Sequence, residues 1–241
     1  MSQTTFEGII LTAQERKDIA DANSEEPRRT IGVLYTPYNN SLENYLNFAN
    51  QFGEARLVMP NEVRTDIALL ILPGGKDLSA SHKTFLPNLN YLHGTTDPMV
   101  EFFRTHILDV YIESFIPIFG ICLGYQMLGA YFGSKMYGHI VGHEDGFHSL
   151  KSDIFPIKVN TSHHQAISEL GPQLEPCAYS LSKSGEVECV EAFMHKTLPI
   201  SGVQWHPERM KNLLSSTTFK QTGCLSGDLL THYLIQKLLK K

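Results

Sequence analysis

Cysteine, tryptophan and net charge are all scarce in this chain of 241 residues. Its four cysteines (Cys122, Cys177, Cys189 and Cys224) form no C-x-x-C pair and show no zinc-ligand spacing, which excludes a disulfide scaffold and a zinc ribbon. A formal charge of −5 excludes the clustered Lys and Arg that a nucleic-acid surface needs. No apolar run reaches membrane-spanning length, and no membrane partner is expected. The first residues, Met1-Ser2-Gln3-Thr4-Thr5-Phe6, lack a basic region followed by an apolar one, so the sequence predicts no signal peptide. A reducing, cytoplasmic location follows as the expectation. Internal repeats and dividing linkers are missing too.

What is present is a full core, with 42% hydrophobic residues, and strands that alternate with helices. Residues 1–30 are polar and predict an arm; residues 31–241 predict a single domain. Strands are predicted at Thr30–Tyr35, Arg56–Met59, Ile67–Leu72 and Ile116–Ile121, with a helix over Leu42–Gln51. Asp97-Pro98 pairs a capping side chain with a proline at the first helical position. One apolar face then runs through Met99, Phe102, Phe103, His106, Ile107, Val110 and Tyr111. Shorter strands follow at Ile154–Asn160, Ala178–Leu181, Cys189–Phe193 and Ile200–Trp205, and an amphipathic helix fills Gly227–Lys241. The fold class is therefore α/β: an open, mainly parallel sheet sandwiched by helices.

The chain is organised around Gly120-Ile121-Cys122-Leu123-Gly124. A strand that turns at once into a helix forces its corner residue into a strained conformation, and the flanking glycines let the chains pass closely. Cys122 then projects from the sheet at a helix N-terminus, where dipole and free N–H groups favour a thiolate. Alone, the same stretch also fits a structural cysteine beside a tight turn. A nucleophile needs a base, and Gly202-Val203-Gln204-Trp205-His206-Pro207-Glu208 supplies one. In extended chain His206 and Glu208 share a face, so Glu208 can orient His206. Oxyanion donors are expected from the backbone N–H groups of Leu123 and Gly75, the latter in the turn Leu72-Pro73-Gly74-Gly75.

These three stretches together resemble the signatures of class I glutamine amidotransferases, over about residues 31–210. The order nucleophile, His, Glu separates them from α/β hydrolases. The resemblance implies a Cys122-His206-Glu208 triad and an α/β sandwich with a small antiparallel sheet. Pro73-Gly74-Gly75-Lys76-Asp77 and Val159-Asn160-Thr161-Ser162-His163-His164-Gln165 are similar to the stand-alone γ-glutamyl-GABA hydrolase branch. That branch usually carries Arg where Leu123 stands and Arg-Asp where Thr96-Asp97 stand, and residues 1–30 have no counterpart in it. Gly74, Gln126, His163, His164 and Gln165 are the substrate-binding residues the resemblance implies.

Hydrolysis of a γ-glutamyl amide is the first expectation, with a small γ-glutamyl substrate and no cofactor. A glutaminase subunit feeding ammonia to a separate synthase chain is the alternative, and a non-catalytic binding protein ranks last. Homodimer and synthase partner both stay open. His143, Glu144, Asp145 and His148 are expected in an exposed loop, with no metal. Trp205 is expected to pack beneath the site, and loops 76–97 and 134–153 to shape the leaving-group pocket.

Overall fold

The computed structural model describes residues 29–37, 41–78, 96–152, 157–210 and 225–240. The expected arm, apart from Arg29 and Thr30, lies outside the described residues, as do Cys224 and most of loop 76–97.

Five strands run parallel in the order β2-β1-β3-β4-β11: β1 (Thr30–Leu34), β2 (Glu54–Val58), β3 (Leu69–Leu72), β4 (Ile118–Ile121) and β11 (Ile200–Val203). Every residue of β3, β4 and β11 is buried, as in strands covered on both faces. β2 ends the row and keeps Glu54 and Arg56 at its edge, a charged border that discourages pairing with another chain.

Side chains alternate between two cores, as the two-residue period requires. Ile31, Val33, Ile71 and Phe119 meet helices α1 (Leu42–Ala49) and α5 (Gly227–Leu239) through Tyr45, Phe48, Leu230, Leu234 and Leu238. Leu34, Leu70, Leu72 and Ile118 face the other way. They meet α2 (Pro98–His106), α3 (Leu108–Glu113) and α4 (Leu123–Tyr131) through Phe103, Leu108, Tyr111 and Leu128. Each fully buried side chain of this size contributes about 1.5–3 kcal/mol.

Asp97 caps α2, accepting from the N–H groups of Met99 (2.9 Å) and Val100 (3.4 Å). The single helix predicted beyond it breaks at Ile107 (φ −119°) into α2 and α3. Thr105 Oγ bonds back to the carbonyls of Glu101 and Phe102, which bends the ladder just before the break. The turn brings Leu108 and Ile112 onto the sheet and leaves Phe102 and Val110, both on the predicted apolar face, partly exposed.

β11 also pairs antiparallel with β10 (Val187–His195), so the later strands continue the same sheet. Beyond β10 come β9 (Leu174–Leu181), β6 (Phe147–Ser152), β7 (Ile157–Asn160) and β12 (Leu225–Ser226). β8 (Ala166–Glu169) pairs with both β10 and β5 (Lys135–Tyr137). Residues 134–153, expected as a loop, thus contain β5 and β6. Their short polar stretches (Lys-Met-Tyr, Phe-His-Ser-Leu-Lys-Ser) lack an apolar run and become strands only by pairing. Among the described residues no helix is long and apolar enough to cross a membrane.

Candidate active site

β4 delivers Cys122 directly into the N-terminus of α4. Cys122 has φ 50° and ψ −104°, and with Phe115 it is one of two non-glycine residues at positive φ among the described residues. Such a corner costs on the order of 1–3 kcal/mol and persists because its neighbours leave no other path. A Cβ on Gly120 would stand 2.6 Å from the Gly124 backbone, and one on Gly124 2.2 Å from the Leu72 carbonyl oxygen. The G-x-C-x-G spacing is therefore a steric requirement. Cys122 N–H donates to Val203 O (2.9 Å), tying the corner to β11.

After β11 the chain does not stay extended to Glu208. Pro207 opens a single 3-10 turn (Pro207–Arg209) that folds Glu208 back under the imidazole. His206 Nδ1 lies 2.7 Å from Glu208 Oε1, and both residues are buried. A carboxylate only accepts, so Nδ1 carries the proton and Nε2 is the nitrogen left for the thiol. Burial alone would push the imidazole down. The Cys122 sulfur, through its charge and hydrogen bond, outweighs that together with Glu208 and raises His206 to about 9. Arg209 Nε lies 3.2 Å from Glu208 Oε1 and pairs with the same carboxylate oxygen.

Two supporting residues were not legible as site residues. Asn160, at the end of β7, brackets the His206 backbone: its Oδ1 accepts the His206 N–H (2.8 Å) and its Nδ2 donates to His206 O (2.9 Å). Tyr45 Oη accepts from Gly74 N–H (3.0 Å) and lies 3.3 Å from His206 Nδ1. Burial, then the negative charges of Glu208 and Cys122, push the Tyr45 phenol well up, so it stays neutral. In the sequence Tyr45 is one more apolar position of α1. Asn160 offered a faint signal, a polar residue closing a strand.

Gly74 lies against all three groups. A Cβ there would meet Tyr45 Oη at 2.7 Å, His206 Cε1 at 2.8 Å and Cys122 Cβ at 3.3 Å. A Cβ on Gly75 would meet Leu123 Cδ2 at 2.9 Å, so the two residues expected to supply oxyanion donors are packed against each other. Three of the remaining expected substrate residues, Gln126, His164 and Gln165, are held by hydrogen bonds. Gln126 Nε2 donates to Gln165 O (2.8 Å) and Gln204 Oε1 (3.0 Å), and Gln165 Oε1 accepts from Leu78 N–H (3.0 Å). His164 Nε2 is 2.8 Å from Asp77 Oδ1. These contacts hold the segment after Gly75 in place. Trp205 is fully buried in the core with Val203, Leu230 and Leu234, against Gly227.

His163 points elsewhere, toward His143 and Glu191, the latter also approached by His148. This corrects the expected exposed loop. Glu144 and Asp145 are exposed, but His143 is buried and His148 belongs to β6. Pairing of β6 with β7 and β9 carries the histidines inward, an effect of long-range register that local glycine content does not reveal.

The model of the family described as Peptidase C26 matches residues 42–208. The Campylobacter jejuni gamma-glutamyl-CDP-amidate hydrolase is 33% identical over 64% of this chain and 69% of its own length. The glutamine-hydrolyzing GMP synthase of Thermococcus kodakarensis has a subunit that is 35% identical over 51% of this chain and 67% of its own length. A glutamine amidotransferase from Thermotoga maritima superposes with a TM-score of 0.57 at 16% identity, covering 89% of this chain and 98% of that one. The mixed sheet with helices on both faces is thus shared with class I glutamine amidotransferase folds.

Proposed function

Because the chain belongs to the Peptidase C26 family of class I glutamine amidotransferase-like proteins, we propose that it hydrolyses a γ-glutamyl amide through a Cys122 thioester. The observation that carries this reading is the 2.7 Å His206–Glu208 contact beside a strained Cys122 corner. Cys122 Sγ attacks the side-chain carbonyl of the glutamyl group. The N–H groups of Gly75 and Leu123 receive the oxyanion, and His206 passes its proton to the departing amine. Water, deprotonated by His206, then cleaves the thioester to glutamate and frees the thiol. Glu208 holds Nδ1 throughout, and no metal or organic cofactor takes part in these steps.

Gly74 must remain a glycine for the carbonyl to reach the sulfur. Gln126, His164 and Gln165 support the pocket for the glutamyl head group, chiefly by fixing the walls around it. The name of the Campylobacter relative supports a stand-alone hydrolase. Leu123, together with the GMP synthase relative, supports a glutaminase that awaits a partner chain.

Product release by the purified chain from glutamine and a panel of γ-glutamyl amines separates the two, with Cys122→Ala as blank. Rapid glutamate release from a γ-glutamyl amine supports the hydrolase and identifies its leaving group. Silence across the panel with Cys122 still alkylated favours the partner-dependent glutaminase. Turnover that survives Cys122→Ala would sink both.

A further inference from the structure

Apart from the nucleophile and its base, the described residues bring a second group of reactive side chains together. His143 precedes β6, His148 lies on it, His163 follows β7, and Glu188 and Glu191 lie on β10. The Glu191 carboxylate is fully buried. Its Oε1 is 3.5 Å from His143 Nδ1, 3.6 Å from His163 Nε2 and 3.7 Å from His148 Nε2. His143 Nδ1 and His163 Nε2 are 3.2 Å apart.

The outward contacts of two of these rings decide where their protons are. His163 Nδ1 faces the Gln165 carbonyl at 3.0 Å, and His143 Nε2 faces Glu188 Oε2 at 3.2 Å. Both partners only accept, so each ring places its proton on the outer nitrogen. The inner nitrogens, His143 Nδ1 and His163 Nε2, then present lone pairs to each other and to a carboxylate. Three electron-rich atoms at 3.2–3.6 Å repel unless something positive lies among them. His148 Nε2 and Glu191 Oε2 are buried as well, and neither has a hydrogen-bond partner among the described residues. The Cys189 thiol reaches the other oxygen, Glu191 Oε1, at 3.4 Å.

We infer that His143, His148, His163 and Glu191 form a binding site for a divalent transition-metal ion, with zinc the best fit. Ligand distances of about 2.0–2.2 Å put tetrahedral zinc ligands about 3.3–3.6 Å apart. Here the three histidine nitrogens lie 3.5–3.7 Å from Glu191 Oε1, and His143 Nδ1 lies 3.2 Å from His163 Nε2. The ligand atoms of His143, His148 and Glu191 all fall within 4.8 Å of one another. Three imidazoles and one carboxylate suit zinc and exclude magnesium and calcium, which take oxygen ligands. The Glu188–His143 and Gln165–His163 contacts are the outer hydrogen bonds that orient metal-binding imidazoles. His148, with 21% of its side chain exposed against 4% or less for the other three, gives the ion its way in. The ion would pin β6, β10 and the stretch from Asn160 to Gln165, which brackets His206 and anchors Leu78.

The test uses the full-length Cys122→Ala chain, so that the reactive thiol cannot take up metal. After stripping with a chelator, it is titrated with Zn²⁺ against a chromogenic competitor, and Co²⁺ is added separately to read coordination from its visible spectrum. The expected result is one zinc per chain, a four-coordinate cobalt spectrum, and a melting temperature raised by zinc. Glu191→Gln and His148→Gln should each weaken binding at least about 100-fold. Should Glu191→Gln fail to fold, His148→Gln at the partly exposed edge carries the test alone. Absence of stoichiometric binding, or binding unchanged by the folded variants, would overturn the site and leave a cluster held by a shared proton.

Discussion

In the parallel half of the sheet, each reactive group lies at the C-terminal end of a strand, inside a short run of sequence. Gly74 and Gly75 follow β3, Cys122 follows β4 and His206 follows β11. In the antiparallel half, the histidine cluster is gathered from three separate segments between His143 and Glu191. Every member of it depends on hairpin register. A parallel sheet lines up the ends of strands that are distant in sequence, so a site there needs only a compact motif at each end. An antiparallel meander brings together side chains from strand middles and turns, and leaves no motif behind.

The comparison breaks most directly at the nucleophile. Cys122→Ala is expected to lower glutamate release at least about 10⁴-fold while zinc uptake by the histidine cluster is unchanged. Steady-state turnover and the metal titration check the two halves of that statement. Cys122→Gly should be equally inactive but more stable in urea by about 1 kcal/mol, because glycine tolerates the positive φ.

Glu208→Gln comes next, with a loss of about 10²–10⁴-fold in kcat/KM. The pH profile adds a signature. His206 is held at about 9, so protonation of the leaving amine should fail along an alkaline limb near that pH. Without the Glu208 charge the limb moves to lower pH. The stability contribution has the same sign: the folded value exceeds the unfolded 6.5, so the contribution is complete below about pH 6.5 and is lost as pH rises through about 9. Urea titrations at several pH values read it directly.

Gly74→Ala sharpens the claim that close approach governs the parallel site. Its methyl would press on His206 Cε1 and Tyr45 Oη, and a displacement approaching 1 Å costs about 10²-fold in rate. Cleavage kinetics alongside a circular dichroism melt would separate misplacement from unfolding. Tyr45→Phe is the mildest. It removes one acceptor of the Gly74 N–H, at about 1 kcal/mol of stability and a few-fold in kcat/KM. A loss as large as that of Glu208→Gln would mean Tyr45 takes part in proton transfer.

The amino-acid sequence by itself determined the strand-turn-helix at Cys122, the Asp97 cap, and the buried strands β1, β3, β4 and β11. Their signals are local: glycine spacing, a capping side chain before proline, short stretches rich in apolar residues. It also singled out Cys122 as the proposed nucleophile and His206 with Glu208 as its proposed imidazole–carboxylate pair. Only the tertiary structure decided that Pro207 turns Glu208 beneath His206, that Asn160 and Tyr45 hold the base and the Gly74 turn, and that the helix after Asp97 breaks at Ile107. It alone decided that His143, His148, His163 and Glu191 meet. Such contacts join residues up to 161 positions apart, and their partners are chosen by strand register and packing, which no local pattern of residues encodes.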